Sequence, residues 1–258
     1  MGYKINHKKL YRLMKEHGLL LNRTSTKRKD RCWVKWRTIR DVAPLEYICM
    51  DIKYIYIHGE RRYGFLLVIQ DVGSRSVLNW SLKFTMKYTD VILALEKIFN
   101  HSKIKKLSIR TDNGSQFIAA GLKRYLENKP VIHEFTHVAT PEENSYVESL
   151  FANVQREVID RFYFSSVYHA KDVFFRYFYW YNFQKRQHRL KRKCPVDFWN
   201  THFPSHPVTP QEIVSEDFVK GLDTNKNNIK DQSNLDLPLT KSEAELNLPY
   251  QDEKNVLN

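Results

Sequence analysis

Cysteine is scarce in this chain. Cys32, Cys49 and Cys194 are scattered without paired metal-ligand spacing, which argues against a disulfide framework or a zinc cluster and points to reduced thiols in a cytoplasmic protein. Long hydrophobic runs are missing as well. The longest near the middle, Phe65–Ile69, has five residues, against the eighteen or so that span a bilayer, and Met1–Lys4 does not open into a secretory signal. No membrane partner is therefore expected. There is no internal repeat, and no opening βαβ unit with a glycine-rich turn, which excludes a doubly wound nucleotide-binding fold.

What is present is enough apolar matter to fold and a pronounced charge asymmetry. Hydrophobic residues make up 42% of the 258 residues and aromatics 14%, with 15 Tyr and 15 Phe. The formal charge is +13, but residues 1–40 carry thirteen Lys/Arg against two acids, while residues 211–258 carry five Lys against ten acids. Without that last stretch the body holds +18, a field that suits a polyanion, with nucleic acid the first candidate.

Periodicity divides the chain into three parts: a basic N-terminal helix and linker over 1–44, a core over 45–205, and an acidic tail over 206–258 without apolar periodicity. His7–Leu21 reads as a short helix, with Leu10, Leu13 and Met14 on one face. Asn22–Arg40 reads as a basic linker in which Trp33 and Trp36 are possible anchors. Strands are expected at 47–57, 63–72, 77–82, 106–110 and 131–135, and helices at 88–99, 116–127, 142–160 and 170–181, with Pro195 and Pro204 closing the ordered region. A three-strand meander followed by strand–helix alternation predicts an α/β fold, a ribonuclease-H-like mixed five-stranded sheet flanked by helices.

Three carboxylates stand out within that order. Asp51 interrupts the apolar run of the first core strand, where an unpaired carboxylate is costly; an exposed strand face shared with Lys53 is the plainer alternative. Asp112 lies at a strand end in Asp112-Asn113-Gly114, a place for a reactive group and equally good turn chemistry. Glu148 sits on the 142–160 helix, four residues after Asn144 and on the same face; Glu142 and Glu143 are accounted for by their place at the helix start. In the expected topology the first and fourth core strands are neighbours, so Asp51 and Asp112 can meet, and the following helix can bring Glu148 across. Three such acids repel one another and fit two Mg²⁺ or Mn²⁺ ions about 4 Å apart, a site for phosphodiester hydrolysis or strand transfer without a covalent protein intermediate.

These residues resemble the integrase-core (DDE-type) transposases of bacterial insertion sequences, relatives of retroviral integrases. The matching pieces are Met50–Lys53, Val68–Arg75, Arg110–Phe117, Asn144–Glu148 and Trp180–Asn182, with a basic stretch running on to Pro195. Thirty-five residues separate Asp112 from Glu148 and sixty separate Asp51 from Asp112, the intervals of that group's acidic triad. The resemblance covers roughly residues 45–200. It implies metal ligation and catalysis by Asp51, Asp112 and Glu148, a tight turn permitted by Gly114, a loop-steadying or DNA-contacting Gln116, and an Asn144 that supports Glu148 or touches the strand near the cut. Departures occur too. Gln155 stands where relatives carry a lysine, so a charged contact there does not transfer, and neighbouring Arg156 is assigned DNA only weakly. Gln70 precedes Asp71, and Arg186 and His188 fall one step late in the motif after Tyr181-Asn182.

The segment Lys185, Arg186, Arg189, Lys191, Arg192 and Lys193 is expected to hold DNA phosphates, as is Lys27–Lys29 with Arg31, while Tyr177, Trp180 and Tyr181 are better read as core. No complete helix-turn-helix is present to read an end sequence. The expected activity is metal-dependent cleavage and strand transfer at insertion-sequence ends, on double-stranded DNA and within a homo-oligomer. A catalytically silent DNA-binding remnant and a general ribonuclease-H-like nuclease are the alternatives.

Overall fold

The computed structural model describes residues 6–20, 31–36, 38–39, 41–100, 106–138, 140–206 and 208. The Lys27–Lys29 cluster and the acidic tail beyond Val208 lie outside them. Two compact units result, Met1–Arg31 and Cys32–Asn258. In the first, helix α1 (His7–Glu16) starts where the Asn6 side chain accepts the Lys8 N–H at 2.9 Å, and it ends short of the expected Leu21.

The second unit is built on one mixed sheet. Its strands are β1 (Cys32–Trp33), β2 (Tyr47–Ile57), β3 (Arg62–Asp71), β4 (Val77–Lys83), β5 (Leu107–Thr111) and β6 (Val131–Phe135), in the spatial order β1-β6-β5-β2-β3-β4. β2, β3 and β4 form the antiparallel meander; β5 runs parallel to β2, and β6 parallel to β5. This is the ribonuclease-H-like arrangement of the five core strands. A sixth strand joins it from the segment read as linker: the two residues of β1 pair in parallel with Glu134 and Phe135.

Alternation along β2 decides which layer covers which side. Ile48 and Met50 face one core with Leu67, Ile69 and Ile109, against α2 (Tyr88–Asn100), α3 (Ala120–Glu127) and Trp199 of α6 (Pro195–His202). Tyr47, Cys49, Ile55 and Ile57 face the other, with Leu66 and Val68, against α4 (Ser145–Val154) and α5 (Val167–Phe183). Asp51 and Lys53 share the parity of this second set and interrupt it.

The helices differ from their expected bounds for local reasons. α3 begins at Ala120, because the N–H groups of Phe117 and Ile118 first close a turn on the Gly114 carbonyl, leaving Gln116 in that turn. The 142–160 helix is three pieces: a 3₁₀ turn at Pro141–Asn144, α4, and a π-helical turn at Gln155–Ile159. Pro195 opens α6 and does not close the ordered region, since proline at the first helical position forfeits no hydrogen bond. Tyr177 and Tyr181 are buried, as a core reading requires, and Trp180 is 40% exposed. Asn182 is fully buried and pairs with both the N–H and the carbonyl of Val77 at 2.9 Å, fastening α5 to β4. Among the described residues no helix is long and apolar enough to cross a membrane.

Candidate active site

The parallel pairing of β2 with β5 sets Tyr47 opposite Ser108, Ile48 opposite Ile109 and Cys49 opposite Arg110. Continued two residues, this register puts Asp112 beside Asp51, on the side of the sheet that α4 covers. α4 is held there by Val147, Leu150 and Phe151 in the core, while Glu148 is exposed on the same helix. All three acids line one cavity of about 490 Å³, together with Asn113, Gly114, Thr136, His137, Val138, Thr140 and Asn144.

Each aspartate has an oxygen turned towards backbone. Ile52 N–H donates to Asp51 Oδ1 at 2.7 Å, and Gly114 N–H donates to Asp112 Oδ1 at 2.9 Å, which closes the Asp-Asn-Gly turn. Asn113 donates to the Thr136 carbonyl at 2.7 Å and ties the turn to the strand opposite. Gly114 matters here for space: a Cβ would lie 2.8 Å from Gln116 Nε2 and 3.0 Å from Asp112 Oδ1. Gln116 packs over the turn, its Oε1 accepting the Ser115 hydroxyl at 3.2 Å.

The electrostatics are those of crowded acids. Burial pushes Asp51 up to about 7; the charges of Asp112 and Glu148 add to that rise, while the Ile52 N–H and Lys53 oppose it. Glu148 is also raised, first by partial burial and then by Glu142. None of the cavity's ten lining residues is a lysine or arginine. The Asn144 side-chain oxygen is buried, with the residue 4% exposed, and among the described residues it has no hydrogen-bond partner. Hard oxygen donors, mutual repulsion and an orphaned amide oxygen are what a divalent-cation site of the Mg²⁺ or Mn²⁺ type provides. As the side chains stand, no three or more His, Cys, Asp or Glu among the described residues close around a single point.

Two residues support the site in roles that their places in the sequence did not reveal. Arg110, 1% exposed, donates to the carbonyls of Glu143 (2.7 Å) and Trp36 (2.9 Å), to the Tyr47 hydroxyl (3.0 Å) and to Glu134 (3.4 Å). It locks the strand carrying Asp112 to the turn that launches α4. Glu143, read from sequence as a helix-start acid, is 5% exposed. Burial would raise its carboxyl, but the His137 N–H, the His137 ring and the Arg110 charge outweigh that and hold it below the usual range. Asp71, at the end of β3, is fully buried and accepts from Leu45 N–H (2.8 Å) and from the Ser74 N–H and hydroxyl (2.6 Å each), a fastening away from the cavity.

The basic residues stand outside the cavity. Arg186, Arg189, Lys191 and Arg192 are exposed and Lys193 half-buried, on a loop closed by the Gln187–Lys193 bridge. Lys185 is bonded to the Glu157 carboxylate, which also accepts the Tyr177 hydroxyl at 2.8 Å. Arg156 is exposed on the π-helical turn and donates to Asn153 at 2.7 Å.

Comparison with known proteins agrees with this architecture. Residues 41–141 match a family model described as an integrase core domain, and residues 129–195 match a second model with the same description. An uncharacterized 31.7 kDa protein of insertion element IS407 from Burkholderia multivorans is 26% identical over 215 residues, covering 83% of this chain and 76% of the relative. The transposase for insertion sequence element IS904 from Lactococcus lactis is 28% identical over 147 residues, 55% of this chain and 57% of its own length. An uncharacterized 39.2 kDa protein of insertion element IS476 from Xanthomonas euvesicatoria is 26% identical over 218 residues, and this chain spans 61% of it. Among solved structures, a chain of the simian T-cell lymphotropic virus intasome in complex with PP2A regulatory subunit B56 gamma shares the fold. It has a TM-score of 0.53 at 18% identity, covering 70% of this chain and 63% of that one. With the sheet order, the parallel β2–β5 pairing and the two domain matches in place, this chain belongs over residues 41–195 to the integrase-core family.

Proposed function

We propose that this chain is a DDE-type transposase that breaks and joins DNA at the ends of an insertion sequence, with Asp51, Asp112 and Glu148 as its metal-binding carboxylates. The observation that carries this reading is the convergence of three acids, from β2, the turn after β5, and α4, on one cavity without a lysine or arginine in its wall. Two Mg²⁺ or Mn²⁺ ions, when bound, supply Lewis acidity that activates an attacking water or 3′-hydroxyl and offsets charge on the phosphoryl group.

The chain's own residues do the rest. The backbone bonds to Asp51 and Asp112 fix the direction of each carboxylate, and Arg110 fixes the turn ahead of Glu148. The unpartnered oxygen of Asn144 accepts a hydrogen bond from the attacking hydroxyl or from water beside Glu148. Gly114 and Gln116 hold the shape of the Asp112 turn. Arg186, Arg189, Lys191, Arg192 and Lys193 contact DNA phosphates, with lesser roles for Arg156 and the already paired Lys185. The partner in this reading is double-stranded DNA, with two ends brought together by a homo-oligomer acting in the cytoplasm.

The test uses labelled duplexes carrying the element's ends, with Mg²⁺ or Mn²⁺. Wild type should nick or join them, and Asp112→Asn should lose at least about 100-fold in rate with an unchanged circular-dichroism spectrum. Metal-dependent activity retained in Asp112→Asn would overturn the assignment. Binding without cleavage across ends and metals would identify a silent DNA-binding protein, and equal cutting of unrelated duplexes a general nuclease.

A further inference from the structure

Beyond the three acids, the cavity wall contains a side chain held in a way that loop structure alone does not require. After β6 the chain passes along the cavity through Thr136, His137 and Val138, reaches Thr140, and enters the turn before α4. The buried carboxylate of Glu143 accepts the His137 backbone N–H at 2.7 Å, which is sufficient to clasp this loop. The same carboxylate also lies 3.0 and 3.1 Å from the ring Nδ1. Trp33, on β1, stacks on the imidazole at 5.2 Å with the planes 18° apart. Arg110 anchors Glu143 from beneath through its carbonyl. The ring is thus fixed along one edge and one face, yet half of the side chain is open.

A carboxylate at Nδ1 sets the ring's orientation and leaves Nε2 as its second polar atom, which donates when the ring carries both protons. Among the cavity's ten lining residues His137 is the one that can carry positive charge, and the other ionisable side chains there are the three acids. His137 is therefore the one lining side chain able to offer a phosphate oxygen a charged donor.

We propose that His137, oriented by Glu143 and stacked on Trp33, donates a hydrogen bond from Nε2 to a phosphate oxygen of the DNA strand beside the cut. The inference rests on the transposase reading for the identity of its ligand. It makes His137 a substrate-contacting residue in addition to the acidic triad.

The experiment pairs protein variants with DNA in which a single phosphate flanking the cut is replaced by a neutral methylphosphonate, read in single turnover with Mg²⁺. On native DNA, His137→Ala should be about 10- to 100-fold slower than wild type, and His137→Gln, which keeps a donor, within a few-fold. The Mg²⁺-induced thermal shift should be the same for all three proteins, since His137 is not a metal ligand. With the methylphosphonate at the contacted position, wild type should fall to the His137→Ala rate while His137→Ala loses nothing more. His137→Ala as fast as wild type, or losses that multiply at every phosphate tested, would overturn the proposal. The same cycle is run on equilibrium affinity with Ca²⁺. A wild type that binds but cuts with neither Mg²⁺ nor Mn²⁺ would sink the transposase reading, and the Ca²⁺ affinity cycle would still decide whether His137 touches a phosphate.

Discussion

Replacing Asp51 by Asn should stabilise the metal-free protein while removing its response to Mg²⁺. The reason is the crowding of acids on the β2–β5 edge. Burial, followed by the charges of Asp112 and Glu148, raises Asp51 from 3.8 to about 7. A folded-state value above the unfolded one means that stability is fully present below pH 3.8 and is lost as pH rises through about 7. Fully expressed, that rise corresponds to about 4 kcal/mol at pH 8. Water entering the cavity reduces it, and about 2 kcal/mol is the working value. Asn keeps an oxygen for the Ile52 N–H and carries no charge, so the variant escapes this loss. The expected gain in melting temperature is roughly 4–8 °C at pH 8, shrinking towards zero at pH 4. Adding Mg²⁺ at about 100 times its dissociation constant should stabilise wild type by about 2.7 kcal/mol and the variant far less. The assay is thermal unfolding at pH 4, 6 and 8, with EDTA or Mg²⁺. A variant no more stable than wild type at pH 8, a gain equal at pH 4 and pH 8, or equal Mg²⁺ responses would refute the reasoning.

Two further outcomes concern the frame around the site. Arg110→Lys should cost about 3–5 kcal/mol in urea unfolding at neutral pH, because one ammonium cannot satisfy the Glu143 and Trp36 carbonyls, the Tyr47 hydroxyl and Glu134 together. A loss under about 1 kcal/mol would show that the arginine network is dispensable. His133 on β6 is pushed down from 6.5 to about 4 by burial, so its contribution to stability is present above pH 6.5 and lost as pH falls towards 4. Between pH 7.5 and 4.5 wild type should lose about 2–3 kcal/mol more than His133→Gln, and parallel acid profiles for the two proteins would contradict this.

Much of the fold could be read from local pattern. Ile48 and Met50 alternate with Tyr47 and Cys49, and that alternation alone separates the two cores and puts Asp51 on the second. Asp112-Asn113-Gly114 is turn chemistry in any context, and the apolar set Val147, Leu150 and Phe151 makes a helix that must face a sheet and leaves Glu148 off that face. The boundaries at Ala120 and Gln155 shifted because a turn closed on Gly114 precedes α3 and the hydrogen bonding widens to a π-helical turn after α4.

The rest depends on residues far apart in sequence, whose meeting local propensity does not encode. Sixty residues separate Asp51 from Asp112, and their proximity follows from the parallel register that sets Cys49 opposite Arg110. The two-residue strand Cys32–Trp33 has no signature of its own and exists because β6 offers it an edge. Arg110 opens a stretch that resembles the family, but its structural task emerged only when burial gave it acceptors from four separate segments. Glu143 likewise had the ordinary role of an acid at a helix start, and only the packed structure turned its carboxylate to His137 and His137 to Trp33. Sequence therefore determined which chemistry was available and on which side of each element it lay. Tertiary packing decided which charges share a cavity, because electrostatic neighbourhood is a property of distance in space and not of distance along the chain.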